Sequence, residues 1–278
     1  MAEFIVGESW QYSPLVRRVL APNAGIMTAG GTNTWLVGQE EVAVIDPGPS
    51  DAPHIDAILR AAGADTIKWI LCTHTHRDHS PGAAKLKAAT GAQVIGLPPP
   101  GGLAQDESFA PDHCPAENEC LRASNFTLQT IYTPGHASNH VCFLLQEEGV
   151  LFTGDHIMQG STVVIAPPDG DMADYIQSLE KLKSLPLQSF APGHGELVCD
   201  PFPLIDSTIA HRLKREAKVW DALVSIGTAS PASLVEQAYQ DTPKFLHGLA
   251  RFSLEAHLIK LEKEGKVSRS GMLWSPIL

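Results

Sequence analysis

No stretch of the 278 residues approaches the ~18 consecutive apolar positions that a membrane-spanning helix requires. The first 25 residues lack a basic start followed by an apolar core. Glu3 and Glu8 lie where a secretory or organelle-import leader avoids acid, so the expected location is the cytoplasm and no membrane partner is expected. Cysteine is sparse and odd in number: Cys72, Cys114, Cys120, Cys142 and Cys199. That excludes a disulfide framework and makes reduced thiols the default. Basic residues are outnumbered, 20 against 31 acidic, for a net charge of −11. The deficit is uneven: residues 211–278 sum to +3 and residues 1–210 to −14. An acidic body with a mildly basic tail is a weak hint about partners.

What is present is an ordinary globular composition, 44% hydrophobic and 18% charged, on a chain long enough for one substantial core and a small second domain. Short apolar runs alternate with turns and helical patterns over the first two hundred residues. Strands are expected at 32–38, 41–48, 67–73, 92–97, 126–133, 140–146, 149–155 and 189–195. Helices are expected at 51–63 and 173–185. Another follows Ser80-Pro81-Gly82, with Ser80 as N-cap and Pro81 in the first turn. From about residue 203 the pattern becomes helical: about 207–226, 231–239 and 243–264, then an extended tail. In the last helix Phe245, Leu249, Phe252, Leu258 and Leu261 are expected to share one apolar face. Three helices and a small β-wing match the winged-helix pattern. The expected boundary places domain one at 1–205 and domain two at 206–278.

Side chains that bind metal crowd into six residues, His74-Thr75-His76-Arg77-Asp78-His79, directly after an apolar strand. Alternate positions on a tight loop project toward a common point, so His74 and His76 can share one cation while Asp78 and His79 reach a second. Further ligands stand at other strand ends beside glycine: His136 in TPGHASNH, Asp155 in LFTGDH and His194 in FAPGHGE. The expected allocation is His74, His76 and His136 on one cation, Asp78, His79 and His194 on the other, and Asp155 bridging. The loop 112–120 offers His113, Cys114 and Cys120 as a further set, although Cys-x5-Cys has no recognised metal spacing. His140, at the start of a strand, is expected in a packed supporting position, and His156, after Asp155, either touches substrate or packs in support. Arg77 either faces an anionic substrate or pairs with an acidic neighbour.

The His-x-His-x-Asp-His run, with VIDPG, TPGH, GD and PGHG at these intervals, resembles the metallo-β-lactamase superfamily over about residues 20–200. The resemblance implies an αββα sandwich of two mixed sheets, with two divalent metal ions at one edge. Zinc is the usual metal; these ligands also admit manganese or iron. It implies a hydrolase whose nucleophile is a metal-bridging hydroxide, with Asp78 as the catalytic residue that orients it, and Asp46 supporting the ligand loop. The C-terminal region, with HRLKREAKVWDAL and LIKLEKEGKV, extends the likeness to the β-lactamase-like endoribonucleases that carry a winged helix. Single-stranded RNA is then the expected substrate. A small acyl thioester is the alternative, as in thioesterases and glyoxalase II-like hydrolases, and a homodimer through the winged helix is the partner expectation. Only 58 positions separate His136 from His194, too few for the extra domain of large RNA-processing relatives.

Overall fold

The computed structural model of the chain describes residues 5–102, 104–160 and 162–277. Packing divides it into two units. The first gathers the chain up to Thr133 with Asn139–Ser161 and Pro186–Pro201, and the second gathers Pro134–Ser138, Thr162–Leu185 and Phe202–Leu278.

The first unit holds two mixed sheets. One runs in the order β1 (Ser9–Gln11), β2 (Val16–Leu20), β3 (Asn33–Val37), β4 (Glu41–Ile45), β5 (Thr66–Leu71) and β6 (Gln93–Ile95). Its first four strands are antiparallel, and β4, β5 and β6 are parallel. The other contains β7 (Cys120–Arg122), β8 (Thr127–Tyr132), β9 (Val141–Leu145), β10 (Val150–Gly154) and β11 (Ser189–Pro192), with β11 parallel to β10 and the rest antiparallel.

Strand alternation sorts the first sheet's side chains into two cores. Trp35, Val37, Ala43, Ile45 and Leu71 face Phe126, Leu128, Phe143 and Phe152 of the second sheet. Leu36, Val42, Val44 and Ile70 turn the other way onto α1 (Ala52–Ala62) and α2 (Gly82–Thr90), meeting Ile55, Ile58 and Leu86. The faces of the first sheet are thus both buried, and the strand ends are where the chain can turn polar.

Three strands are absent from the sequence expectations. β1 is fully exposed, and β7 is three residues long and only partly buried. β2, VRRVL, is disguised by two arginines, of which Arg18 is buried by donating to the Gly195 carbonyl at 3.1 Å. Ser80 does not cap α2. Pro81 occupies that position, and Ser80 Oγ donates instead to Asp106 at 2.8 Å.

In the second unit, α3 (Met172–Leu182) is capped by Asp171, whose carboxylate accepts from the Ala173 and Asp174 amides. Helices α4 (Pro201–Ile226), α5 (Pro231–Ala238) and α6 (His247–Lys263) follow, with a wing of β12 (Val267–Ser270) and β13 (Leu273–Pro276). Val219 and Leu223, Leu234 and Val235, Leu254, Leu258 and Leu261, Val267 and Trp274 form one core. The expected face of the last helix needs correction. Phe245 lies on a separate 3₁₀ turn after Pro243 and is 78% exposed, and Phe252 is 39% exposed. The turn breaks the helical phase, so Leu254 joins Leu258 and Leu261 inward. Among the described residues no helix is long and apolar enough to cross a membrane.

Candidate metal centre

The site begins where β4 ends. Asp46 takes a left-handed backbone, φ +51°, and its buried carboxylate is aimed at the loop after β5. One oxygen accepts from the Thr73 amide at 2.7 Å. The other accepts from Thr73 Oγ1 at 2.8 Å and from His79 Nδ1 at 2.9 Å. An imidazole whose Nδ1–H is given to a carboxylate presents Nε2 as a lone pair. Thr73 Oγ1 also lies 3.0 Å from His74 Nδ1. Having spent its proton on Asp46, it accepts there, which leaves His74 Nε2 outward, 3.0 Å from His76 Nδ1.

Two more strand ends close on this loop. Gly154 ends β10, and a Cβ there would stand 2.3 Å from Thr73 Oγ1. Gly193 follows β11, and its Cβ would stand 2.6 Å from His79 Cε1 and 2.9 Å from Asp155 Oδ1. Only glycine lets Asp155 and His194 approach. The His194 turn is then fixed through its carbonyls. Asn33 Nδ2 donates to Pro192 and Gly195, both at 2.9 Å, and Trp35 Nε1 donates to Pro192 at 3.1 Å. His194 Nδ1 donates to the Gly31 carbonyl at 3.1 Å, again freeing Nε2.

The outcome is a cluster of four. Asp78, His79, Asp155 and His194 offer ligand atoms that all lie within 4.8 Å of one another. Asp155 Oδ1 stands 3.4 Å from both His79 Nε2 and His194 Nε2, and Asp78 Oδ2 stands 3.5 and 3.1 Å from the same two atoms. Both Nε2 atoms are buried and make no hydrogen bond of good geometry among the described residues. Such convergence of buried imidazole nitrogens and carboxylate oxygens fits a cation. The electrostatics agree. Burial alone would lower the two imidazoles, yet the carboxylates of Asp155 and Asp78 override it, raising His194 to about 10 and His79 well above its ordinary value. Burial would raise Asp155, but the same histidines hold it well below the carboxylate range. A site that attracts positive charge this strongly suits a divalent ion.

His136 belongs to the second unit, in the segment Pro134–Ser138 between β8 and β9. Its Nδ1 meets the Val164 carbonyl at 2.8 Å. His140 and His156 are buried behind the ligand loop, with the His140 ring 5.0 Å from that of His74 and 5.9 Å from that of His156. His140 Nδ1 pairs with Thr133 Oγ1 at 2.8 Å. Arg77 is exposed and makes no ion pair among the described residues; its Nε donates to the Gln105 carbonyl at 3.4 Å. Of the two roles expected for it, the pairing with an acidic neighbour is not formed among the described residues. In the loop 112–120, His113 pairs with Glu119 and Cys114 is exposed. It forms no metal-binding group among the described residues, since the glutamate takes the imidazole.

Sequence reasoning passed over Thr73, Asn33 and Arg18, which orient ligands without binding metal. It also passed over Asn139, which donates to Thr75 Oγ1 at 2.7 Å and to the Pro98 carbonyl at 3.1 Å. Polar residues inside an apolar strand pattern, as in TNTWLV and VRRVL, are the signal that was available.

Residues 27–194 match the family model described as the metallo-beta-lactamase superfamily, and 230–274 match the beta-lactamase associated winged helix domain. The chain is 33% identical to a beta-lactamase-like protein 2 homolog of Drosophila melanogaster, over 91% of this chain and 89% of that one. It is 32% identical to an atrochrysone carboxyl ACP thioesterase of Aspergillus fumigatus, over 83% and 75%. Among solved structures, a beta-lactamase domain protein from Burkholderia ambifaria superposes with a TM-score of 0.85 at 19% identity, covering 99% of this chain and 95% of that one. A metallo-beta-lactamase family protein from Thermus thermophilus gives 0.78 at 21%, covering 95% and 99%. With its ligand loop, its two mixed sheets and its winged helix, the chain belongs to the metallo-beta-lactamase superfamily.

Proposed function

We propose that the chain is a dinuclear metal hydrolase of a small acyl thioester. Two divalent cations, most simply zinc, would be held by His74, His76 and the sequence-assigned His136 on one side and by Asp78, His79 and His194 on the other, with Asp155 shared. When bound they supply Lewis acidity, polarising a carbonyl and making water acidic near neutral pH. The chain's own residues do the rest. Asp155, 8% exposed, anchors the centre. Asp78 keeps 26% of its side chain exposed, which makes it the carboxylate able to orient a water and accept its proton. Asp46 keeps His79 in the ligating tautomer.

One observation favours the thioester over RNA. Six of the ten basic side chains of residues 211–278 are engaged in ion pairs. Arg215 and Lys218 share Asp241, Lys260 bridges Glu216 and Glu264, Lys263 meets Asp171, Lys266 meets Glu264 and Arg269 faces Glu255. A cation neutralised by a neighbouring carboxylate adds little to phosphate binding, which draws its strength from free lysine and arginine. The net charge of −11 works in the same direction. Three of the relatives carry thioesterase names, the Aspergillus fumigatus protein, thioesterase pkgB of Emericella nidulans and an atrochrysone carboxyl ACP thioesterase of a Cryptosporiopsis species.

Cleavage of single-stranded RNA is the second reading, favoured by the winged helix itself. A side-by-side assay of the metal-loaded chain on an acyl thioester and on single-stranded RNA, with Asp78→Ala as control, separates the two. Metal-dependent turnover of the thioester with RNA intact is expected. Metal-dependent RNA cleavage with an inert thioester would reverse the order, and no turnover of either would remove both.

A further inference from the structure

We propose that Arg212 of α4 and Ser253 of α6 are positioning residues for His136, acting through the segment 163–165. This rests on the reading of His136 as a ligand.

The segment Val163-Val164-Ile165 is held by three hydrogen bonds on three consecutive residues. Arg212 Nη2 donates to the Val163 carbonyl at 2.5 Å. The Ile165 amide donates to Ser253 Oγ at 3.3 Å. Between them, the Val164 carbonyl faces His136 Nδ1 at 2.8 Å. A carbonyl only accepts, so Nδ1 carries the proton and Nε2 carries the lone pair that a cation needs. The tautomer of His136 is therefore set by one carbonyl, and the residues on either side of that carbonyl are tied to α4 and α6.

The anchors are not surface accidents. Arg212 is 3% exposed and Ser253 is 7% exposed. The Arg212 guanidinium also lies over the Tyr175 ring of α3, 5.1 Å from its centroid. Tyr175 in turn seats the loop that carries His136. Gly135, φ +139°, sits so close that a Cβ would stand 2.3 Å from Tyr175 Cα. The Asp171 amide donates to the Gly135 carbonyl and Ser178 Oγ to the Pro134 carbonyl, each at 2.8 Å. Lys263 of α6 pairs with Asp171, the cap of α3. His136 thus receives both its place and its tautomer from elements that pack with the C-terminal helices. A buried arginine on a backbone carbonyl, 49 residues away in sequence, does a more specific job than hold an interface together.

The test is titration of the metal-free protein with Co²⁺, read as absorbance and stoichiometry, on the full-length wild type and on His136→Ala, Arg212→Met, Arg212→Lys and Ser253→Ala. The wild type is expected to take two ions and His136→Ala to lose one. Arg212→Met and Ser253→Ala are expected to weaken that same ion about 10–100-fold and leave the other unchanged, with Arg212→Lys partly restoring it. A general loss of structure would move both ions together. Two ions bound as tightly as in the wild type by folded Arg212→Met and Ser253→Ala, while His136→Ala loses one, would overturn this proposal and leave the ligand reading standing. Two ions retained by His136→Ala would overturn both. If Arg212→Met does not fold, Ser253→Ala, which removes only a hydroxyl, decides.

Discussion

The two units orient histidines by different means. In the first, His79 is held by the carboxylate of Asp46 and His194 by the carbonyl of Gly31 beside β3, both on the sheet edge that carries the ligands. In the second, His136 is held by Val164, whose neighbours depend on Arg212 and Ser253. His79 is held by a charged acceptor, whereas His194 and His136 are each held by a neutral carbonyl. A charged acceptor strengthens the hydrogen bond and makes the imidazole a better ligand. A neutral carbonyl fixes direction with less gain in basicity. The cluster of Asp78, His79, Asp155 and His194, with its carboxylate-held imidazole, is therefore expected to be the tighter of the two proposed cation sites.

The largest effect is expected from removing Asp155, the proposed shared ligand. Asp155→Ala is expected to lower turnover about 10³-fold or more, ~4 kcal/mol of barrier, measured as kcat/KM at saturating metal. Next comes Asp46→Asn, which leaves one of three donors without its acceptor. Metal affinity is expected to fall about 10–100-fold in the site of His79, and less in that of His74, which Asp46 reaches only through Thr73, as competition with a chelator would show. Equal loss in both sites would erase the distinction between the two halves.

A smaller effect is expected in stability. His54 on α1 is buried, its Nε2 lying 2.9 Å from Thr34 Oγ1, which in turn donates to the Asp46 carbonyl. Burial lowers it to about 4, against an opposing pull from Asp51. The unfolded chain takes up this proton below the ordinary value of 6.5 and the folded chain does not until about 4. Stability from this group is therefore present above pH 6.5 and is lost as pH falls toward 4. His54→Gln should flatten that dependence by about 2–3 kcal/mol, read by denaturant unfolding across the window. The smallest effect belongs to the far side of the winged helix. Ser230 caps α5 in a reciprocal pairing with Ser233. Ser230→Ala should cost about 1 kcal/mol in unfolding and leave metal uptake unchanged. A metal deficit there would mean that the whole winged helix, and not α4 and α6 alone, supports the site.

Much of this was legible in the sequence because the ligands stand at strand ends beside glycines. VIDPG, FTGD and PGHG each place one polar group where an apolar run stops, the histidine cluster places four candidate ligands, and the structure draws Asp78, His79, Asp155 and His194 into one cluster. What was not legible is polar work done inside strands and across long separations. Arg18 and Asn33 sit in β2 and β3, where periodicity reads them as interruptions, and they hold the His194 turn. Phe245 matched the helical period but lies on a turn that begins at Pro243, a break that outweighs the pattern. Arg212 and Ser253 are ordinary members of helices until the 163–165 segment is seen beside them.

The most direct measurement of the central claim is the number of zinc equivalents kept per chain after dialysis against metal-free buffer, for the wild type and Asp155→Ala. The account predicts two for the wild type and fewer than one for the variant. A wild-type chain that retains none, or a variant that retains both, would contradict it.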